Sequence, residues 1–202
     1  MSSGARLSEG AAPLSSRELA EQVLARAEGL GALRYGDFML TSGLKSSYYF
    51  DGRLLTLDPV GADLISAAFL RAIRDAGAQA AGGPVVAAVP IAGALALRSG
   101  LERAPVAGFF VRPEAKTHGA GKRVEGPVRA GMRVAVFDDT VSTGGSLLDA
   151  IDAAEDLGCR VVKVLTVLDR RQGGSDEVRS RGYDFVALLE ADASGNVRVA
   201  ID

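Results

Sequence analysis

Val134-Ala135-Val136-Phe137-Asp138-Asp139-Thr140-Val141-Ser142-Thr143-Gly144-Gly145-Ser146 changes character twice in a short span. Four apolar residues (134–137) have the make-up of a buried strand. Two carboxylates follow at its carboxyl end, and a hydroxyl- and glycine-rich turn then opens a helix over about 145–157, closed by Gly158. A helix start presents free backbone N–H groups and the positive end of a dipole, which suits a phosphate. Glycines there let the backbone come close to it. Two carboxylates beside a phosphate repel it unless they face something else. Sugar hydroxyls are the natural partner, because an ionised carboxylate accepts hydrogen bonds from them. One Asp would serve as a helix cap, but two adjacent Asp followed by this turn exceed what a cap requires.

Outward from this segment the chain repeats a pattern. Short apolar runs at 85–89, 106–111, 161–168 and 185–189 alternate with helical stretches near 91–102 and 145–157. That alternation predicts an α/β fold, with a mostly parallel sheet flanked by helices on both faces. In such sheets ligands bind beyond the carboxyl ends of the strands. Upstream, Ser15 and Glu18 have capping-box spacing and predict a first helix. Asp58-Pro59 predicts the start of another that stops at Gly77. Residues 47–51, Ser-Tyr-Tyr-Phe-Asp, predict a short aromatic strand after a turn.

The bulk properties set bounds. The 202 residues suit a single domain over 15–202 behind a loose Ser/Gly/Ala-rich tail at 1–14. Formal net charge is -2, which gives no footprint for a nucleic-acid partner. No apolar run approaches the ~20 residues of a membrane span. A lone cysteine, Cys159, fits a reducing, cytoplasmic setting. No His/Cys cluster suggests a dedicated protein metal site.

Residues 112–129 are long for a connection, and loops of that length are usually functional or disordered. They carry five Lys/Arg against two Glu, together with the sole histidine, His118. A mobile cationic lid is the physical reading, with charges that could stabilise an anionic leaving group. A solvated surface loop is the plainer alternative.

The segment 134–146 resembles the phosphoribosyl-pyrophosphate (PRPP) signature of type I phosphoribosyltransferases. Two further stretches resemble one branch, the orotate phosphoribosyltransferases. Arg112-Pro113-Glu114-Ala115-Lys116-Thr117-His118-Gly119 is similar to their catalytic loop, and residues 38–53 to their Phe-x-Leu-x-Ser-Gly-x-x-Ser-x-Tyr-Tyr/Phe motif. The resemblance implies a type I phosphoribosyltransferase fold with a small N-terminal hood and a flexible catalytic loop. It implies transfer of the 5-phosphoribosyl group from PRPP to orotate, giving orotidine 5-phosphate and pyrophosphate in pyrimidine (UMP) synthesis. Asp138 and Asp139 would hold the ribose 2- and 3-hydroxyls, and Thr140, Val141, Ser142, Thr143, Gly144, Gly145 and Ser146 would cradle the 5-phosphate. Lys116 would be the main catalytic residue, with Arg112 and His118 on pyrophosphate. Tyr49, Phe50 and Ser142 would line the orotate pocket, and Arg170 would take the orotate carboxylate. Mg²⁺ would arrive mainly through PRPP. The family also implies a homodimer whose loop reaches into the neighbouring subunit's site, and in some members a cis peptide near Val85-Val86. Thr41, Ala87 and Pro113 stand where familiar members have lysine. Two alternatives share the fold: a phosphoribosyltransferase for a purine or other base, and a non-catalytic PRPP-sensing regulator. The loop motif and Arg170 favour the orotate reading.

Overall fold

The computed structural model describes residues 14–39, 45–113 and 122–201. The N-terminal tail up to residue 13, Thr41, Lys116 and His118 lie outside them. Helix α1 (Ser16–Gly29) begins as its capping box requires. The Ser15 hydroxyl accepts from the Glu18 N–H at 3.1 Å, and the Glu18 carboxylate accepts from the Ser15 N–H at 2.7 Å. Strands β1 (Leu33–Met39) and β2 (Lys45–Phe50) form an antiparallel two-stranded hood. After the short α2 (Gly52–Thr56) comes α3 (Pro59–Asp75). Asp58 caps α3 by accepting from the N–H groups of Val60 and Gly61. It also takes both arms of Arg26 from α1, and that guanidinium holds its carboxyl down at about 2.

The main sheet holds β3 (Ala80–Pro84), β4 (Ala107–Val111), β5 (Val124–Glu125), β6 (Arg133–Val141), β7 (Arg160–Asp169), β8 (Phe185–Ala191) and β9 (Val197–Val199). Their spatial order is β5-β4-β3-β6-β7-β8-β9. The five inner strands run parallel, and both edge strands are antiparallel. Chain order reverses between β3 and β6. Such a switch point opens a crevice at the strands' carboxyl ends, and here it brings the end of β3 beside the acidic end of β6. Helices α1, α3 and α4 (Ala88–Leu101) cover one face, and α5 (Gly145–Asp156) and α6 (Gly174–Ser180) the other. Alternation along β6 feeds both cores: Ala135 and Phe137 face the first, Val134 and Val136 the second. The rings of Phe69 and Phe137 meet at 5.6 Å in the first core.

Two sequence expectations need correction. The apolar run 85–89 is not a strand: β3 ends at Pro84, and α4 begins at Ala88. A short apolar run does not separate a strand from the first turn of a buried helix. The true strand is the unassuming Ala80-Ala81-Gly82-Gly83-Pro84, whose small residues answer a steric demand. A Cβ on Gly82 would stand 2.1 Å from the Phe109 carbonyl oxygen, and one on Gly83 would stand 1.8 Å from that of Phe137. The second correction concerns β6, which does not stop at Phe137. Its ladder to β7 continues through Asp138↔Thr166, Thr140↔Leu168 and Val141↔Asp169. The acidic pair is therefore part of the strand.

Candidate active site

Strand pairing holds the backbone of the acidic pair, and burial sets its chemistry. Asp138 is 6% exposed. Its carboxylate accepts from the Asp139 N–H at 2.9 Å and from the Ser146 hydroxyl at 3.1 Å. Burial, and then the charge of Asp139, raise its pKa to about 7. Burial also raises that of Asp139. Gly52, the first residue of α2, lies flat against Asp139. A Cβ there would sit 2.2 Å from the Asp139 Oδ2. The pair is thus two partly desolvated carboxylates with few protein donors, suited to accept hydrogen bonds from a polyol.

The turn after β6 is built from backbone. Gly144 has a φ of 83°, and no side chain caps α5. A Cβ on Gly144 would come within 3.0 Å of the Gly174 Cα, and one on Gly174 within 2.5 Å of the Gly144 nitrogen. The Gly174 N–H donates to the Ser142 carbonyl at 2.9 Å, and the Arg170 N–H to the Val141 carbonyl at 2.8 Å. The segment after β7 therefore braces the turn from behind. Thr143, Gly145 and Ser146 are exposed, Thr140 and Ser142 half-buried. The Val141 side chain packs into the second core, which leaves only its backbone for a ligand.

Beside this turn, at the end of β3, the Val85-Val86 peptide is cis, and the Val85 N–H donates to the Val111 carbonyl at 3.0 Å. Arg112 follows directly and is half-buried. The two ends of the basic loop are joined: the Arg112 N–H donates to the Arg123 carbonyl at 2.9 Å, and Arg123 Nε donates back to the Arg112 carbonyl at 3.2 Å. Arg123 also pairs with Asp149 on α5. The loop thus leaves and re-enters the fold beside the strand ends that carry the acidic pair.

On the hood side, Arg170 follows β7, and its Nη2 donates to the Phe50 carbonyl at 3.4 Å. The Phe50 ring itself is 5% exposed and belongs to the first core, so Phe50 offers the site its backbone. Tyr49 faces the other way, near Phe38 and Arg34 at 5.7 and 5.2 Å. The ring that meets Arg170 is that of Tyr48, at 5.3 Å from the guanidinium carbon. Sequence reading passed over Tyr48. The period of two along β2 was the available signal: Tyr48 and Phe50 share the inward face, and Tyr49 is on the other.

A strand carrying two carboxylates near its carboxyl end, a glycine turn and an uncapped helix make the frame of a sugar-phosphate site. The family model of the phosphoribosyl transferase domain matches residues 82–194, and the chain belongs to the phosphoribosyltransferases. The orotate phosphoribosyltransferase of Rhodopirellula baltica is 38% identical over 163 residues, covering 78% of this chain and 84% of that protein. That of Rhodopseudomonas palustris strain BisB18 is 37% identical over 181 residues, covering 88% and 94%. The Mycobacterium tuberculosis orotate phosphoribosyltransferase, solved with 5-phospho-alpha-D-ribosyl 1-diphosphate, superposes with a TM-score of 0.67 at 32% identity, covering 87% of this chain and 95% of that one. Within its class, this chain belongs with the orotate phosphoribosyltransferases.

Proposed function

We propose that the chain transfers the 5-phosphoribosyl group of PRPP to orotate. The bond from ribose C1 to pyrophosphate oxygen breaks, a bond from C1 to the pyrimidine nitrogen forms, that nitrogen loses its proton, and pyrophosphate leaves. The observation that carries this reading is the desolvated acidic pair beside the switch point, followed along the chain by an uncapped helix start, with Arg170 at the end of the neighbouring strand β7. Asp138 and Asp139 accept from the ribose hydroxyls. The backbone and hydroxyls of residues 140–146 receive the 5-phosphate. Arg170 takes the orotate carboxylate with two N–H groups, and Ser142 lies within the same turn. Positive charge from Arg112, Lys116 and His118 stabilises the leaving pyrophosphate as its charge develops. The spacing of these three residues supports their roles.

Among the described residues, no three His, Cys, Asp or Glu are grouped to enclose a metal ion. The donors at hand, two adjacent carboxylates facing a polyol, fit Mg²⁺ that arrives on PRPP and keeps its own water and phosphate oxygens. When bound, Mg²⁺ would screen the pyrophosphate charge. Among the described residues, no helix is long and apolar enough to cross a membrane. The base is tested by measuring pyrophosphate release with orotate and with hypoxanthine. Turnover with orotate alone is expected, and turnover with hypoxanthine alone would overturn the choice of base.

The chain also acts as a two-fold homodimer in this reading. Val86, Val89, Leu97 and Leu101 leave an apolar stripe exposed along α4 and the residue run before it, with Leu101 76% exposed. The stripe starts beside Arg112, so a second copy seated on it would bring its own loop near this site. Lys116→Ala and Asp138→Asn/Asp139→Asn should each be nearly inactive, and mixing them should restore activity after subunit exchange. Verified mixed dimers that stay inactive would contradict a shared loop.

A further inference from the structure

Arg170 has an unusual hold for a residue that must present a fork. Among the described residues it makes no ion pair. The adjacent Asp169 is 1% exposed, and its Oδ1 is taken by the Arg171 N–H at 2.8 Å. The guanidinium makes one long hydrogen bond, to the Phe50 carbonyl at 3.4 Å. Its other support is the Tyr48 ring at 5.3 Å. A guanidinium has five N–H donors in a fixed plane, so most of its edge is free for a ligand, while one long bond leaves its plane poorly fixed.

Tyr48 is well placed to fix it. The side chain is 5% exposed, and its hydroxyl is buried without a hydrogen bond among the described residues. Burial pushes the phenol pKa up, and Arg170 acts against that through its charge and through its approach to the hydroxyl. The hydroxyl lies towards the guanidinium without closing a hydrogen bond to it, and the ring face carries the contact. The ring is itself clamped. Tyr48 pairs with Tyr35 across the hood, and the Tyr35 hydroxyl accepts from the Val197 N–H at 3.2 Å. Ser47 donates to the Ser194 carbonyl at 2.9 Å, and a Cβ on Gly195 would come within 3.2 Å of the Tyr48 ring. The β8–β9 turn thus presses the hood onto Arg170.

We propose that Tyr48 is the positioning residue for Arg170, and that its ring sets the plane in which the guanidinium meets the planar carboxylate of the base. This rests on the reading that Arg170 takes the orotate carboxylate. A cation held on an aromatic face out of water gains enough to change affinity about three- to thirtyfold.

The test is steady-state kinetics on the full chain with Tyr48→Phe, Tyr48→Leu, Arg170→Ala and the double variant Tyr48→Leu/Arg170→Ala. Tyr48→Phe keeps the ring face that carries the contact, so its orotate KM should stay within about twofold of the parent's. Tyr48→Leu should raise the orotate KM about three- to thirtyfold and leave kcat and the PRPP KM nearly unchanged. The double variant should be no worse than Arg170→Ala. The proposal is overturned if Tyr48→Leu leaves the orotate KM alone, raises both KM values alike, or adds its full effect on top of Arg170→Ala. An Arg170→Ala protein with normal orotate KM would instead sink the underlying reading of Arg170. Thermal melting checks folding, and Tyr48→Met asks the same question should the leucine variant fail to fold.

Discussion

The two halves of the proposed site, one for ribose phosphate and one for the base, are built on different plans. The first is one continuous stretch: β6, the glycine turn and the first turn of α5 follow each other within residues 133–146. Its carboxylates lie in a strand paired along its length with β7, and its turn is held backbone to backbone, Gly144 against Gly174. The base half is assembled from distant pieces. The Phe50 carbonyl and Arg170 are 120 residues apart in sequence, and the hood that carries Phe50 is clamped by the β8–β9 turn. A continuous half is placed mainly by its own strand, turn and helix. An assembled half is placed by packing, so its geometry depends on side chains that never touch substrate.

Arg170→Ala should separate the halves most sharply. Loss of a charge-assisted bidentate contact is worth about 1.5–3 kcal/mol, so the orotate KM should rise on the order of tenfold to a hundredfold. The PRPP KM should hardly move. Equal changes in both would mean that the halves are not independent.

A smaller effect concerns pH and belongs to the ribose half. Burial, and then the charge of Asp139, push the Asp138 carboxyl up to about 7. Ribose hydroxyls donate to the ionised form, so PRPP affinity should fall as the pH drops through 7. A single proton makes binding about tenfold weaker at pH 6 than at pH 8. PRPP phosphates titrate near this range as well, so the informative quantity is the ratio of wild type to Asp138→Asn at each pH. That ratio should change with pH, and a flat ratio would contradict the role of Asp138.

A further effect is on stability, and its sign follows from the same raised pKa. The folded state binds the Asp138 proton more tightly than the unfolded state does. The cost of burying the charge is therefore absent below the ordinary carboxylate pKa and grows as pH rises towards 7. Asp138→Asn should melt higher than wild type at pH 8, with the gap narrowing at pH 5. A gap that widens on acidification would mean that the carboxylate is stabilised in its charged form.

The same contrast governs what could be read in the sequence. The capping box at Ser15, the Asp58-Pro59 start and the segment 134–146 were legible because each is a local pattern with a local physical cause. Strand β3 was not, because its small residues answer to the neighbouring carbonyls of Phe109 and Phe137, which no local pattern reveals. Helix α6 and strands β5 and β9, of 7, 2 and 3 residues, are too short to show a period. The Tyr48–Arg170 contact escapes a local reading because Arg170 comes from the far end of the chain. Arg170 itself was legible as an arginine at a strand's end.

The account stands most directly on the acidic pair. Calorimetric titration of PRPP with Mg²⁺ into wild type and into Asp138→Asn/Asp139→Asn, at pH 8 and with melting curves to show that both are folded, measures it. The expected result is a folded double variant with PRPP binding weakened by at least tenfold, since charge-assisted hydrogen bonds to two hydroxyls are lost. A folded double variant that binds PRPP as tightly as wild type would contradict the assignment of Asp138 and Asp139 to the ribose.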